Sequence, residues 1–223
     1  MRLAFFASGG GSNVGAILQA IDRGALEADA VGLVTDREGT GAADRARARE
    51  IPVAVIPPAE PAAFAQQILD ALARWETDAV ALAGYLRKLP EPVVWAYRHR
   101  VLNVHPSLLP AFGGAGMYGA RVHRAVLEYG CRVSGATVHL VEAEFDTGPV
   151  VLQEAIRVEA GDSPETLARR VLEVEHRLFP RALALVADGR VRVEGRTVHV
   201  SAPTRPDPAI PSAHDLGQGP PFP

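Results

Sequence analysis

The chain alternates between short apolar runs and segments of helical periodicity from its second residue onward, and this alternation restricts the fold more than any other feature. The apolar runs predict strands at residues 2–7, 30–36, 52–56, 78–83 and 101–105. The segments between them place apolar residues on one face and predict helices at residues 12–23, 41–50, 61–75 and 91–97. Repeated β–α units of this length predict an α/β fold with a doubly wound, mostly parallel sheet.

The pattern changes after residue 110. A glycine-rich segment at 112–119 precedes a predicted helix at 120–129. Two β-rich runs follow at 133–141 and 150–158, separated by a turn. Runs joined in this way favour antiparallel pairing, so we expect an antiparallel C-terminal extension of the sheet.

The last part of the chain contains a long helix, a hairpin and a proline-rich tail. Ser163 is the expected N-cap and Pro164 the first residue of a helix that reaches about residue 187. A closing hairpin is expected from residues 190–193 and 197–200. Seven prolines and little apolar periodicity predict that residues 202–223 are disordered.

Composition and charge narrow the possible classes of function. With 223 residues, 48% of them apolar, the chain suits one domain with a sizeable core. Its formal net charge of −3 argues against binding to duplex nucleic acid. The single cysteine, Cys131, cannot form an internal disulfide and fits a reducing compartment. Because the apolar start is too short for a signal peptide and no run approaches membrane-spanning length, we expect a cytoplasmic protein without a membrane partner.

The strand predicted at 101–105 carries two polar side chains on one face. Residues i and i+2 of a strand share a face, so Asn103 and His105 should emerge side by side. Pro106 should end the strand, at the sheet edge where open α/β sheets bind ligands. An amide beside an imidazole suits acid–base chemistry, but it equally suits a polar strand end whose groups bond to the following loop. The residues alone leave both interpretations open.

A glycine turn at residues 8–13 joins the first strand to the first helix. Glycines allow close approach of an anion, and the helix N-terminus offers free N–H groups, with Ser12 or Asn13 available as cap or ligand. The turn is not a Walker loop, because no Lys-Ser or Lys-Thr follows. It also departs from the dinucleotide pattern, since Val14 stands at the third glycine position. A tight turn alone would explain the glycines, but the position on the first β–α unit favours a phosphate site.

Asp146 lies in the turn between the two β-rich runs. An Asx turn is the ordinary structural role of such a residue. The alternative is that the turn returns Asp146 to the strand end, where its charge would raise the pKa of His105. We therefore expect either a structural turn or a carboxylate–imidazole pair.

The remaining histidines and the cysteine give no metal-binding pattern. His139 lies within a predicted strand and is expected to be a hydrogen-bonded core residue. The other histidines lack ligand spacing to one another or to carboxylates: His99, His123, His176, His199 and His214. We expect no metal, and we expect Cys131 to be an inert small residue.

Six stretches carry a resemblance that spans about residues 1–200. They are residues 8–13, 83–87, 103–110, 135–139, 146–149 and 175–176. Asn-x-His-Pro-Ser-Leu-Leu-Pro at 103–110 is typical of enzymes that transfer folate-borne formyl groups. In these stretches the chain resembles the phosphoribosylglycinamide formyltransferases, folate-dependent enzymes of purine biosynthesis. The resemblance implies a formyltransferase-type Rossmann-like fold and 10-formyltetrahydrofolate as co-substrate, without a metal.

The resemblance also implies residue roles. Asn103, His105 and Asp146 match the family's catalytic trio, in which the histidine is the proton donor, the aspartate raises its pKa and the asparagine binds the formyl oxygen. Residues that match the substrate and folate sites are Gly11, Ser12 and Asn13 for the phosphate, Glu175 near the substrate amine, Leu86, Arg87, Lys88 and Leu89 in the folate loop, and Val94 in the pterin pocket. Arg87 and Lys88 could alternatively be ordinary solvated charges at a strand end.

The expected organisation is one formyltransferase domain at residues 1–201, with a nucleotide-phosphate-binding half at 1–110 and a folate-side half at 111–201. The partners implied are glycinamide ribonucleotide and 10-formyltetrahydrofolate, with no nucleic acid, and the protein would be a monomer or homodimer. Three departures from the family pattern affect substrate contacts. Residues 111–119 form a longer segment, Pro61 stands near a missing basic residue, and Leu172 stands where some members have lysine.

Three alternatives share parts of this pattern. Deformylases, which give the formyl group to water, would share the trio but usually carry an additional N-terminal domain. Transfer-RNA formyltransferases carry an additional C-terminal domain, which we do not expect from residues 202–223. A non-catalytic sensor of phosphoribosyl ligands could use the same scaffold. Product analysis with both substrates separates a transferase from a deformylase and from a sensor.

Overall fold

The computed structural model describes residues 1–202, so the predicted tail lies, apart from Ala202, outside the described residues. The strands are β1 Arg2–Phe6, β2 Asp29–Thr35, β3 Val53–Val55, β4 Ala79–Leu82, β5 Val101–His105, β6 Val133–Leu140, β7 Val150–Arg157, β8 Val191–Glu194 and β9 Thr197–Val200. The helices are α1 Ser12–Asp22, α2 Gly41–Arg47, α3 Pro61–Arg74, α4 Glu91–Ala96, α5 Ala120–Tyr129 and α6 Pro164–Ala187.

Within residues 1–202 the central sheet has seven strands in the order β3-β2-β1-β4-β5-β6-β7. Strands β1 to β5 pair in parallel, whereas β6 runs antiparallel to β5, and β7 runs antiparallel to β6. The strand order reverses direction between β1 and β4, as expected for a doubly wound sheet. The predicted fold class is confirmed, including the antiparallel extension; β8 and β9 form a separate hairpin.

Helices cover both faces of the sheet. Side chains alternate along β1, so Leu3 and Phe5 pack on one face while Ala4 and Phe6 pack on the other. The first face is covered by α1, α2, α5 and α6, and the second by α3 and α4. Because both faces are buried, the parallel strands read as continuous apolar runs.

Helix α6 begins with the predicted cap. The Ser163 hydroxyl accepts a hydrogen bond from the Thr166 amide, the Thr166 hydroxyl accepts one from the Ser163 amide, and Pro164 occupies the first turn. Leu167, Val171 and other apolar residues along one stripe of the helix are buried. No helix in residues 1–202 combines the length and apolar character needed to cross a membrane.

Candidate active site

A cleft of about 550 Å³ opens at the carboxyl ends of β4 and β5. Its walls come from the glycine turn, from the segment after β4, from the loop after β5, from the turn between β6 and β7, and from α5 and α6. Lining residues include Gly9, Asn13, Leu86, Asn103, His105, His123, His139, Asp146, Leu172 and Glu175. The cleft therefore gathers residues from distant parts of the chain at the edge of the sheet where α/β proteins bind ligands.

The antiparallel register of β5 and β6 places Asn103 opposite His139. The Nδ1–H of His139 donates to the backbone oxygen of Leu140 at 2.9 Å. Nδ2 of Asn103 lies 3.1 Å from Nε2 of His139. His139 is buried and hydrogen-bonded, as predicted, but its partner is a residue of the predicted catalytic trio.

Asp146 reaches the end of β5 from the turn between β6 and β7. Its Oδ2 lies 3.5 Å from Nδ1 of His105, and its Oδ1 lies 3.5 Å from Nε2 of His139. The Gly114 amide donates to Oδ2 at 2.8 Å. Asp146 adopts a left-handed backbone conformation with φ of 57°. The turn therefore brings the carboxylate to the imidazole, which was one of the two alternatives for this residue.

The His105 imidazole is held between Asp146 and the loop after β5. Its Nε2–H donates to the backbone oxygen of Phe112 at 2.8 Å. Burial lowers the pKa of His105 below its ordinary value of 6.5, and this effect outweighs the nearby Asp146 charge and the Phe112 hydrogen bond, which both raise it. The Asp146 charge raises the pKa of His105, as expected, but the net pKa is lowered, because the same cleft that brings the carboxylate close also removes water from the ring.

The Asp146 carboxyl is ionised more readily than an ordinary aspartic acid. Burial raises its pKa, but the His139 and His105 imidazoles and the Gly114 amide act against burial and hold the pKa below the ordinary value of 3.8. Asp146 is therefore a stable anion at neutral pH, beside an imidazole that is mostly neutral.

The glycine turn packs against α2. Gly11 has φ of 70°, and a Cβ added there would lie 2.6 Å from the Cα of Ala42, so glycine is required on both counts. No side chain in the described part of the chain caps helix α1, and its first turn has no acidic residue, which leaves its N-terminal amides open to a ligand. Asn13 lines the cleft, whereas Ser12 lines a second cavity on the other side of the turn.

Asn13 and Glu175 meet inside the cleft although 162 positions separate them. The Nδ2–H of Asn13 donates to Oε2 of Glu175 at 2.7 Å. Burial raises the pKa of Glu175 to about 7, and the Asn13 hydrogen bond lowers it only in part. Oδ1 of Asn13 is buried without a hydrogen-bond partner in the described residues. The pair presents to the cleft an acceptor and a carboxyl whose pKa is raised to about 7.

The expected folate loop forms another wall of the cleft. Leu86 is exposed, whereas Leu89 is buried. The Nε–H of Arg87 donates to the buried Asp36 at 3.0 Å, and the ammonium of Lys88 contacts Glu144 at 3.1 Å. These predicted site residues lie together and line the cleft. Val94 does not line it; it packs in the core on the α3–α4 side of the sheet.

Sequence reasoning missed His123 as a residue of the cleft. It lies on α5, where burial, with the nearby His105 as a smaller cause, lowers its pKa. Its Nδ1 has no hydrogen-bond partner within residues 1–202. The apolar period of α5 could have identified it, because Val122, His123 and Val126 share the buried face. For His139, the register with Asn103 is the informative feature, and it depends on strand pairing.

Residues 1–202 contain no group of three or more histidine, cysteine, aspartate or glutamate side chains placed to hold a metal ion. Cys131 is a free, partly buried thiol. The polar groups of the cleft instead suit hydrogen bonding and proton transfer.

The chain is similar in sequence and in structure to proteins of one family. The formyl transferase family matches residues 1–183. A chloroplastic phosphoribosylglycinamide formyltransferase of Arabidopsis thaliana is 46% identical over 195 residues, which cover 86% of this chain and 67% of that protein. The phosphoribosylglycinamide formyltransferase of Bacillus subtilis is 38% identical over 185 residues, covering 82% and 92%. Glycinamide ribonucleotide transformylase 1 from Symbiobacterium toebii is similar in structure, with a TM-score of 0.85 and 38% identity over 90% of this chain and 93% of that one.

Proposed function

The chain belongs to the formyl transferase family, and from this premise we propose that it transfers the formyl group of 10-formyltetrahydrofolate to the amine of N1-(5-phosphoribosyl)glycinamide, a step of purine biosynthesis. The observation that carries the proposal is the convergence of Asn103, His105 and Asp146 in one cleft. That cleft also reaches the glycine turn and the segment after β4. A site with these two ends can hold a phosphorylated amine and a folate together.

The proposed reaction is a direct transfer. The amine nitrogen attacks the formyl carbon, and the carbonyl oxygen gains negative charge. The bond between that carbon and the folate nitrogen then breaks, and one proton moves from the attacking amine to the leaving nitrogen. Holding the two substrates in this arrangement can lower the activation barrier by about 7–11 kcal/mol.

His105 is the proposed proton donor to the leaving folate nitrogen. Because burial lowers its pKa, the resting imidazole is mostly neutral and can first accept the proton from the attacking amine. A proton on Nδ1 would face Oδ2 of Asp146, 3.5 Å away, so the carboxylate stabilises the transient imidazolium. General acid–base catalysis of this kind contributes about 10²–10⁴-fold.

Asn103 is the proposed donor to the formyl oxygen. Its amide is oriented by His139 through the 3.1 Å contact. A donor aimed at a developing oxyanion contributes about 3–4 kcal/mol. His139 is then a positioning residue, because it acts through Asn103 and Asp146.

The substrate-binding roles are proposed from the two ends of the cleft. Gly11, Ser12 and Asn13 would bind the phosphate at the open amides of α1, and Glu175 would lie near the substrate amine. The pterin and its chain would lie along residues 86–89, with Val94 supporting this loop from the core instead of lining the cleft. Both halves of the proposed single domain, residues 1–110 and 111–201, contribute walls, and the partners are these two small molecules.

The test is product analysis with both substrates, using the wild type and His105→Ala. We expect the wild type to release tetrahydrofolate and formylated ribonucleotide in equal amounts, and the variant to lose turnover by about 10²–10⁴-fold. Formate as the product would show a deformylase instead, and no product at all would favour the non-catalytic sensor. Unchanged turnover in the variant would contradict the role of His105.

A further inference from the structure

A second cavity, of about 350 Å³, lies beside the first turn of α1 and is walled by α1, α2 and α6. We refer to it as the basic cavity, because its ionisable lining groups are four basic residues and one acidic residue: Arg23, Arg45, His176, Arg177 and Glu173. Ser12 and Gly15 form the wall contributed by the start of α1. The glycine turn therefore separates the active-site cleft from a cavity of positive potential.

Arg45 is the basic residue that borders the first turn of α1. Its Nε–H donates to the backbone oxygen of Gly10 at 3.0 Å. One terminal nitrogen lies 3.4 Å from the place that a Cβ at Gly15 would occupy, so the small residue leaves room for the guanidinium along the helix. Within residues 1–202, Arg45 has no carboxylate within ion-pair distance. Its terminal N–H groups are thus available to an anion.

The other basic groups of the cavity are less suited to this position. Arg177 is paired with Glu154 and also donates to the backbone oxygen of Glu173. Arg23 is the C-cap residue at the far end of α1, ten residues after the glycine turn. On the cleft side, Leu172 supplies no charge at all. Among the basic residues that line this cavity, Arg45 is therefore the one that contacts the glycine turn.

Two buried polar atoms near the turn lack partners within residues 1–202. Asn13 is only 7% exposed and lines the cleft, yet its Oδ1 has no donor. Nε2 of His176, which lines the basic cavity, also has no partner. Buried polar atoms in folded proteins normally find partners. Oδ1 of Asn13 is an acceptor and suits an N–H or O–H group of a ligand in the cleft, whereas Nε2 of His176 can donate to an anion in the basic cavity when it carries the proton.

We propose that Arg45 binds the phosphate end of the ribonucleotide, supplying the positive charge that Leu172 does not. The inference rests on the proposed function for the identity of the substrate. The helix amides would bond the phosphate oxygens, and Arg45 would add charge-assisted hydrogen bonds from the side of α2. This makes Arg45 a substrate-binding residue, remote from the reacting carbon.

The first test is the kinetics of Arg45→Gln. A hydrogen bond to a charged group contributes enough that its loss should raise KM for phosphoribosylglycinamide by about 10- to 100-fold. We expect KM for 10-formyltetrahydrofolate and kcat to change by less than about 2-fold. The lost contact holds the phosphate equally in the bound substrate and in the transition state, so its loss weakens binding without slowing the bound complex. Arg45→Lys should lose less, since a point charge remains.

The matched control is Arg47→Gln. Arg47 lies on the same helix, is exposed, and pairs with Glu38 and Asp44 instead of the glycine turn. We expect its kinetic constants to equal those of the wild type. An equal rise of KM in both variants, or an equal rise for both substrates in Arg45→Gln, would show a general disturbance of α2 and overturn the proposal.

The second test is independent of turnover. Calorimetry with ribose 5-phosphate and with ribose should show tighter binding of the phosphorylated sugar to the wild type, and a loss of about 10- to 100-fold in Arg45→Gln confined to the phosphorylated sugar. If the wild type released formate or no product, the proposed function would fail while this measurement still decided the role of Arg45. An unchanged affinity for ribose 5-phosphate in Arg45→Gln overturns the inference in either case.

Discussion

The two ends of the cleft each contain a buried carboxyl group, and these groups behave in opposite ways. Asp146 has a lowered pKa, whereas burial raises the pKa of Glu175 to about 7. Burial opposes ionisation at both. Within residues 1–202, Asp146 is near two imidazoles and receives the Gly114 amide, whereas Glu175 receives only the Asn13 amide. The two imidazoles and the Gly114 amide outweigh burial at Asp146, whereas the Asn13 amide does not outweigh it at the more deeply buried Glu175.

The largest expected effect comes from removing the charge at the Asp146 end. Asp146→Asn keeps the shape of the side chain but leaves an imidazolium at His105 without its counter-charge. We expect kcat to fall by about 10²–10⁴-fold, with KM for both substrates nearly unchanged. Steady-state kinetics measure this, and Glu128→Gln, an exposed carboxylate on α5, is the control. A loss below 10-fold, roughly, would contradict the assigned role of Asp146.

The Glu175 end should influence stability more than chemistry. The carboxyl titrates near 4.5 in the unfolded chain and near 7 in the folded protein, so the native state binds the additional proton between these pH values. Stability contributed by this group is therefore present below about pH 4.5 and is lost as the pH rises to about 7. Relative to Glu175→Gln, the wild type should lose up to about 3 kcal/mol of unfolding free energy between pH 5 and 8.

Denaturant unfolding of both proteins at a series of pH values measures this difference. Because all other groups are shared, their titrations cancel between the two proteins. Parallel stability curves across the range would show that Glu175 has an ordinary pKa, and the contrast with Asp146 would then disappear.

The smallest expected effect concerns the single donor to Glu175. Asn13→Ala removes the hydrogen bond that lowers the pKa of Glu175 in part, so the pKa should rise further above 7. The pH-dependent loss of stability should accordingly continue to higher pH than in the wild type. Titration of the Glu175 carboxyl carbon by NMR measures the change, with Asn103→Ala as a control at the other end. A downward movement of the pKa would contradict the donor role of Asn13.

The fold was more accessible from sequence than the electrostatics. Strands 2–7 and 101–105 and the helix opened by Ser163 are local features, set by apolar period and capping, and the structure places them within one or two residues of the predicted bounds. The meeting of Asp146 with His105 was expected only as an alternative, because it depends on how a turn 41 positions later folds back.

The direction in which the pKa of His105 is shifted could not be predicted from its neighbours in sequence. Charge partners can be guessed from motifs, but the loss of water around a ring depends on the loop that covers it, here through Phe112. The same reason explains His123 and His139, whose roles depend on which face of α5 and which register of β6 meets the cleft. Solvation and pairing are properties of the assembled site, and no single segment encodes them.

The left-handed backbone of Asp146 has a consequence for how this region tolerates change. A residue with a Cβ costs about 1 kcal/mol in this conformation, whereas glycine adopts it freely. Glycine at position 146 would relieve this backbone cost but would leave the Gly114 amide without the Oδ2 acceptor that Asp146 provides. The carboxylate at this turn therefore offsets its backbone cost with a hydrogen bond to the Gly114 amide, in addition to its proposed catalytic role.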